Sequence, residues 1–380
     1  MICCGEGGTA GVKVSFPHMG YLYIPLKTLF KGLKLEVIAP PPISQKTMEL
    51  GVKYSPEFAC LPLKINMGNF IEAMEQGADT IVMAGGWGPC RFGYYAQVER
   101  EILQELGYDF KMVVLEAPDS RISELLLQLK ALGEKVSVRE AYKAIRFAWK
   151  KLIAIEKLEK KLEYCLPRAI DKNRMETLFE RALQAIDEAE SQQEVEKIAQ
   201  ESLKEMEKSP LTNAEVLKIG LVGEIYTILE PASNCHAARC LGRLDAHVSR
   251  SIYVSDWVND HLFGGYLRKS NHKHIMQSSR PYLNYEVGGH GRETVGSMVD
   301  FARLDYNGII QIAPLTCMPE IVAQSILGKV SEELEIPCMT LYFDEHSGAA
   351  GVYTRLEAFV DMLQRKKNLK SSPLWLEARA

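Results

Sequence analysis

Two stretches of this chain, 12–116 and 218–366, alternate short β-branched runs with helix-length segments, and no other feature narrows the fold as much. In the first, Val12 to Phe16, Leu35 to Ile38, Asp79 to Met83 and Lys111 to Leu115 read as strands, and Pro25 to Lys31, Asn69 to Glu75 and Gln97 to Glu105 as helices. Pro40, Pro41 and Pro42 break regularity between them. In the second, Lys218 to Val222, Ser251 to Val254, Gly308 to Ile312 and Met339 to Phe343 read as strands, with helices over Glu293 to Arg303, Glu320 to Leu327 and Thr354 to Lys366. The run up to Arg250 has no clear type, and the residues from there to Arg292 look largely loop-like. Short apolar strands separated by helices call for a parallel sheet covered on both faces, so an α/β fold is expected.

Between these stretches the sequence turns long, charged and helix-periodic. Ser137 with Glu140 and Ser191 with Glu194 have the spacing of capping boxes, and the charges read as a solvated helix face. The expected organisation is an N-terminal α/β lobe over 12–118, a helical insertion over 119–213 and a C-terminal α/β lobe over 214–368.

Composition excludes several function classes. With 45 basic against 49 acidic residues the formal net charge is −4, which leaves no basic excess for a nucleic-acid backbone. The longest apolar runs fall far below the ~20 residues of a membrane span, and residues 1–11 lack the pattern of a secretory leader, so a cytoplasmic protein with no membrane partner is expected. Gly5 to Gly11 is glycine-rich but precedes the first strand, where a dinucleotide fingerprint must follow one. There is no Walker-type lysine loop, so ATP hydrolysis is expected of a partner.

Nine cysteines remain to be explained. They are too sparse for a disulfide scaffold and odd in number, which leaves core packing, redox or nucleophilic chemistry, or metal ligation. Ligands of parallel α/β sheets gather beyond the carboxyl ends of strands. Cys90 follows the third strand in Ala84-Gly85-Gly86-Trp87-Gly88-Pro89-Cys90-Arg91, Cys317 follows a later strand in Thr316-Cys317-Met318-Pro319-Glu320, and Cys60 precedes a helical run. All three stand near proline and a helix start, where the helix dipole is expected to lower a thiol pKa. Gly86 and Gly88 let the backbone approach sulfide or an anion, and Arg91 is placed either to balance cluster charge or to form a surface salt bridge. Three dispersed thiolates suit an iron-sulfur cluster with one open iron better than a four-ligand zinc site, with plain burial of three small side chains as the alternative.

Weaker candidates accompany them. Gly289 and His290 lie in Gly288-Gly289-His290-Gly291, which is either an anion cradle at a helix start or a turn needing positive φ. Glu345 and His346 follow the last strand and are candidates for proton donation, with helix capping or lobe bridging as the alternative. Cys235 and Cys240 are expected to pack, and His272 and His274 to be solvated in a polar loop.

Phe16-Pro17-His18-Met19-Gly20, Cys60-Leu61-Pro62-Leu63-Lys64, Gly68-Asn69-Phe70-Ile71-Glu72-Ala73, Gly85 to Tyr95, Gly223-Glu224-Ile225-Tyr226, Glu293-Thr294-Val295-Gly296, Cys317-Met318-Pro319-Glu320, Asp344-Glu345-His346 and Thr354 to Phe359 together resemble the 2-hydroxyacyl-CoA dehydratase superfamily. The likeness is to its branch associated with CoA-substrate-specific enzyme activases, which neighbours double-cubane cluster proteins and benzoyl-CoA reductase subunits. The resemblance implies two flavodoxin-like lobes with an iron-sulfur cluster in the cleft between them, and Cys60, Cys90 and Cys317 match the family's three cluster ligands. It implies a 4Fe-4S cluster, or half of an eight-iron double-cubane cluster. It also implies a homodimer or a heterodimer with a related subunit, an ATP-dependent iron-sulfur activase as electron donor, and an acyl-CoA thioester as a possible substrate. The implied activity is reduction or radical dehydration, with small-molecule reduction or a non-catalytic electron relay as alternatives. Cys3 and Cys4 lie outside the likeness.

Overall fold

The computed structural model describes residues 11–86, 89–115, 128, 132, 136–261 and 270–370. It is an α/β protein with two four-stranded sheets, all of whose strand pairs are parallel. The first sheet has the order β2-β1-β3-β4, with β1 Lys13–Ser15, β2 Glu36–Val37, β3 Thr80–Ala84 and β4 Lys111–Leu115. The second repeats the winding as β6-β5-β7-β8, with β5 Leu217–Gly223, β6 Ala246–Arg250, β7 Gly308–Pro314 and β8 Cys338–Phe343. In each sheet the chain starts at an inner strand, adds one neighbour, then crosses to the other side. That leaves a crevice at the carboxyl ends of β1 and β3, and another at those of β5 and β7, where such folds hold ligands.

Burial explains these strands. All seven residues of β7 are buried, including Gln311, as a strand with layers on both faces must be. In the first lobe α1 Tyr23–Gly32, α2 Gln45–Tyr54, α3 Leu61–Glu75 and α4 Tyr95–Glu105 connect the strands. Helix α2 lies where the prolines suggested irregular chain. Its start is a box in which the Thr47 backbone N–H donates to the Ser44 hydroxyl and the Ser44 N–H donates back to Thr47 Oγ1.

Helices α5 Val138–Cys165, α6 Lys172–Glu188 and α7 Gln192–Lys208 fall between the sheets in sequence. Ser137 caps α5 with both arms of a box. Ser191 caps α7 with one, because Glu194 reaches the N–H of Glu190 instead. Ile24 of α1 packs into their shared core with Leu158, Phe179, Ile186, Val195 and Met206. On the other side Glu159 and Glu163 of α5 pair with Arg250 at 2.9 and 2.6 Å, so the helices are bound to both sheets.

The second sheet carries α8 Ile225–Leu229, α9 Ala237–Arg243, α10 Val254–His261, α11 His272–Ser279, α12 Gly291–Arg303, α13 Met318–Glu333 and α14 Ala349–Lys370. Two expectations change here. Strand β6 ends at Arg250, where the sequence suggested a strand beginning at Ser251, and Val254 opens a helix. The loop-like region contains α10 and α11. Among the described residues, no helix is long and apolar enough to cross a membrane.

Candidate functional site

The carboxyl ends of the two sheets face each other, and polar contacts pair loop with loop. His18, after β1, places Nδ1 2.9 Å from Glu230 Oε2, which also accepts from the Gly20 N–H at 2.5 Å. Arg91, after β3, donates to the carbonyl of Thr316, after β7, at 2.6 Å. Lys64 of α3 pairs with Glu345, after β8, at 2.7 Å.

Three cysteines stand at this junction, each as the N-cap residue of its helix. Cys60 caps α3, Cys317 caps α13, and Cys90 caps the short 3-10 turn Arg91–Tyr94 that leads into α4. Cys60-Leu61-Pro62 and Cys317-Met318-Pro319 share one local logic: the cap residue is extended, and proline in the first turn needs no N–H partner. None of the three side chains makes a well-formed cap hydrogen bond, although the backbone N–H groups of Phe92 and Glu320 act on the thiols of Cys90 and Cys317.

Arg91 ties the three cysteine loops together. It neighbours Cys90 in the chain, and its two terminal nitrogens donate to the carbonyls of Phe58, two residues before Cys60, and Thr316, one before Cys317. Thr316 Oγ1 donates to the same Phe58 carbonyl at 3.1 Å. The planar fork of guanidinium donors thus spans two carbonyls from opposite lobes. Gly288 and Gly289, both with positive φ, complete the surround, as the turn reading of that segment anticipated. A Cβ on Gly288 would come 2.8 Å from the Cys90 nitrogen, and one on Gly289 would lie 3.8 Å from Cys90 Sγ.

The electrostatics reverse one expectation. Burial pushes the Cys60 thiol up to about 11, with the Tyr95 hydroxyl that contacts its sulfur offsetting part of this and Glu224 adding to it. Burial raises Cys90 as well, and raises Cys317 further, with Glu224 and Glu320 contributing there. The helix starts do favour thiolates, but withdrawal from water outweighs them. The resting thiols are neutral, and a cation that takes them as thiolates must displace their protons.

Two carboxyls, one half-buried and one fully buried, stand near the thiols without having been given a role from the sequence. Glu224, beyond β5, caps α8 by accepting from the Tyr226 and Thr227 N–H groups, and burial raises its pKa. Glu320, in the first turn of α13, is fully buried and pushed up to about 8 by burial, while Gln311 and Thr294 donate to it. The signal for Glu224 was present as an acidic residue between a strand's end and a helix start.

Other candidates fall differently. Burial pushes Glu345 up, but the Lys64 bond more than offsets it and its pKa ends below the usual carboxylate range, and the pair joins the two lobes. His346 is exposed, and its N–H donates to Asp344 in a turn. Gly86 lies against the Phe92 ring, and Gly88 lies outside the described residues. His290 caps α12, and burial with the nearby rings of His261 and His272 pushes it down to about 3, so no imidazolium is available for an anion. Cys165 is buried in the helical core; Cys235 and Cys240 pack against the core of the second sheet. His272 opens α11 half-buried instead of sitting in a solvated loop, while His274 is exposed. Cys3 and Cys4 lie outside the described residues.

Glu99 of α4 is fully buried, and neither carboxyl oxygen has a well-formed hydrogen bond, although the Asn66 amide nearby partly offsets the burial that lifts its pKa to about 8. Between an unfolded value of ~4.3 and that folded value, the native state holds a proton the unfolded chain releases. Its contribution is therefore complete at acid pH and is lost as pH rises toward about 8. The melting temperature of the wild type should fall between about pH 5 and pH 8, and that of Glu99→Gln should fall less. Equal slopes in the two proteins would show that Glu99 does not carry a shifted proton.

Residues 16–84, from the exit of β1 to the last residue of β3, match the family described as CoA enzyme activase uncharacterised domain. The match includes Cys60 and stops short of Cys90 and Cys317. It links this lobe to the activase-associated family without selecting any particular dehydratase. No curated protein matches the chain.

Proposed function

We propose that this chain is an iron-sulfur protein that accepts low-potential electrons from an ATP-dependent activase and uses them to reduce or dehydrate a substrate such as an acyl-CoA thioester. One observation supports this above others: three N-cap thiols from both lobes are brought to one junction at the strands' carboxyl ends, and one arginine holds all three loops. A polynuclear cluster takes its thiolates from separate irons, which suits thiols delivered by three separate loops. The activase-related domain at residues 16–84 is consistent with an activase as the electron donor.

Cys60, Cys90 and Cys317 would hold the cluster. Bound there, it supplies one-electron chemistry and, with three protein ligands, an open coordination position. The protein contributes the rest of the site. The helix starts behind Cys60, Cys90 and Cys317 would favour negative charge on the sulfurs. Arg91 keeps the loops in register, and Glu224 and Glu320 are carboxyls near the thiols whose pKa values burial raises, that of Glu320 to about 8.

The deciding experiment is anaerobic purification followed by iron and acid-labile sulfide analysis together with the assembly mass. The expected result is a coloured protein with about four irons and four sulfides per chain. The mass then separates a homodimer, whose six thiolates suit an eight-iron unit, from assembly with a sister subunit. A colourless, iron-free chain purified without oxygen would sink the proposal.

A further inference from the structure

A second group of ligating side chains lies one loop away from Cys90. His261 is the last residue of α10, His272 the first of α11 and Glu293 the third of α12, so three helix ends bring them together. One ligand atom from each lies within 4.8 Å of the other two, and all three side chains are half-buried. This is the spacing of ligands around one ion.

The detailed geometry agrees. His261 Nδ1 lies 3.1 Å from the Trp257 carbonyl oxygen. A carbonyl can only accept, so the ring proton sits on Nδ1 and Nε2 carries the lone pair. That backbone bond is what orients a metal-binding imidazole and fixes its tautomer. The ring is also stacked on Trp257 at 4.9 Å and meets His272 edge-on at 5.3 Å, which holds its plane. The neighbouring cation, Arg292, is directed to Glu286 and to the Met276 carbonyl.

We propose that His261, His272 and Glu293 form a site for one divalent transition-metal ion of the zinc class. Two imidazole nitrogens and one carboxylate are the donor set of open zinc sites, which keep a further position for water or an oxygen ligand. The site is separate from the thiols but joined to them by residues 289–293, since Gly289 lies against Cys90 and His290 lies beside the two imidazoles. It does not depend on what the cysteines bind.

The test is equilibrium dialysis of Zn²⁺ against the full chain, prepared anaerobically, with bound zinc counted per chain. The expected result is one zinc per chain in the wild type and in Cys317→Ala. Affinity should fall at least ~10-fold in His261→Ala and in the near-isosteric Glu293→Gln, and stay unchanged in His274→Ala, whose exposed ring faces Asp300. Zinc should raise the melting temperature of the wild type and leave that of Glu293→Gln unmoved, a comparison that stands even where His261→Ala folds poorly. Sub-stoichiometric binding by the wild type overturns the proposal. So does a zinc count that falls in Cys317→Ala and holds in Glu293→Gln.

Discussion

Replacing Cys317 with alanine is expected to remove essentially all iron from anaerobically purified protein. Cys60→Ala and Cys90→Ala should do the same, while Cys165→Ala and Cys338→Ala should keep the wild-type iron content. The contrast follows from placement. Cys60, Cys90 and Cys317 sit at helix starts, in loops that Arg91 ties across the lobes. With only three thiolates per chain, loss of one leaves too few ligands to retain a cluster. Cys165 is fully buried in the helical core, and Cys338 opens β8 with its thiol pushed up to about 12 by burial alone. Truncating either should cost up to about 1–2 kcal/mol of packing and no iron. Iron retained by all three junction variants, or lost from the two controls, would overturn the ligand assignment.

What could be read from the sequence was what is encoded locally. Strand β4 has the expected ends, and the other strands of the first sheet fall within about two residues of the reading, because short β-branched runs report themselves. The edge strand β6 did not. Ala246 and Val248 are its buried residues, and His247, Ser249 and Arg250 hide the pattern. Arg250 is accommodated there because Glu159 and Glu163 reach it from a distant helix, which no window of sequence contains. Helix α2 was missed because its cap uses Thr47 where a box normally has Glu or Gln, and three prolines precede it.

The candidate site divides the same way. A cysteine near proline at a helix start is a local pattern: Cys60 and Cys317 are followed by x-Pro and Cys90 is preceded by Pro89, so the three thiols were selectable. The Arg91 bridge to Thr316 and the Lys64 pair with Glu345 join residues far apart in the chain and exist only once both lobes have folded. The sign of the thiol shifts was misjudged for the same reason: a helix dipole is visible in sequence, but desolvation belongs to the tertiary structure.

The second large effect is expected from Gly223→Ala, at the point where fold and site meet. Gly223 ends β5 with φ of +138°, a region closed to ordinary side chains, and it is paired in register with Ile312 of β7. A Cβ there would sit 1.9 Å from the Ile312 carbonyl oxygen, the same oxygen that accepts the Glu224 N–H. Backbone cannot yield as a flexible side chain does, so the variant must give up β5–β7 pairing at its carboxyl end. Strain of ~1–3 kcal/mol and overpacking of ~1–3 kcal/mol together make a loss of ~2–6 kcal/mol, against a total stability of roughly 5–15. Gly348→Ala is the control, since nothing lies within 4 Å of its added Cβ. Thermal melts should show Gly223→Ala markedly destabilised or insoluble and Gly348→Ala unchanged, and equal melting of the two would refute the clash. Because Gly223 also sets where Glu224 and α8 begin, any folded fraction of Gly223→Ala should hold iron less well than the wild type, whereas a variant weakened only in its core would retain it.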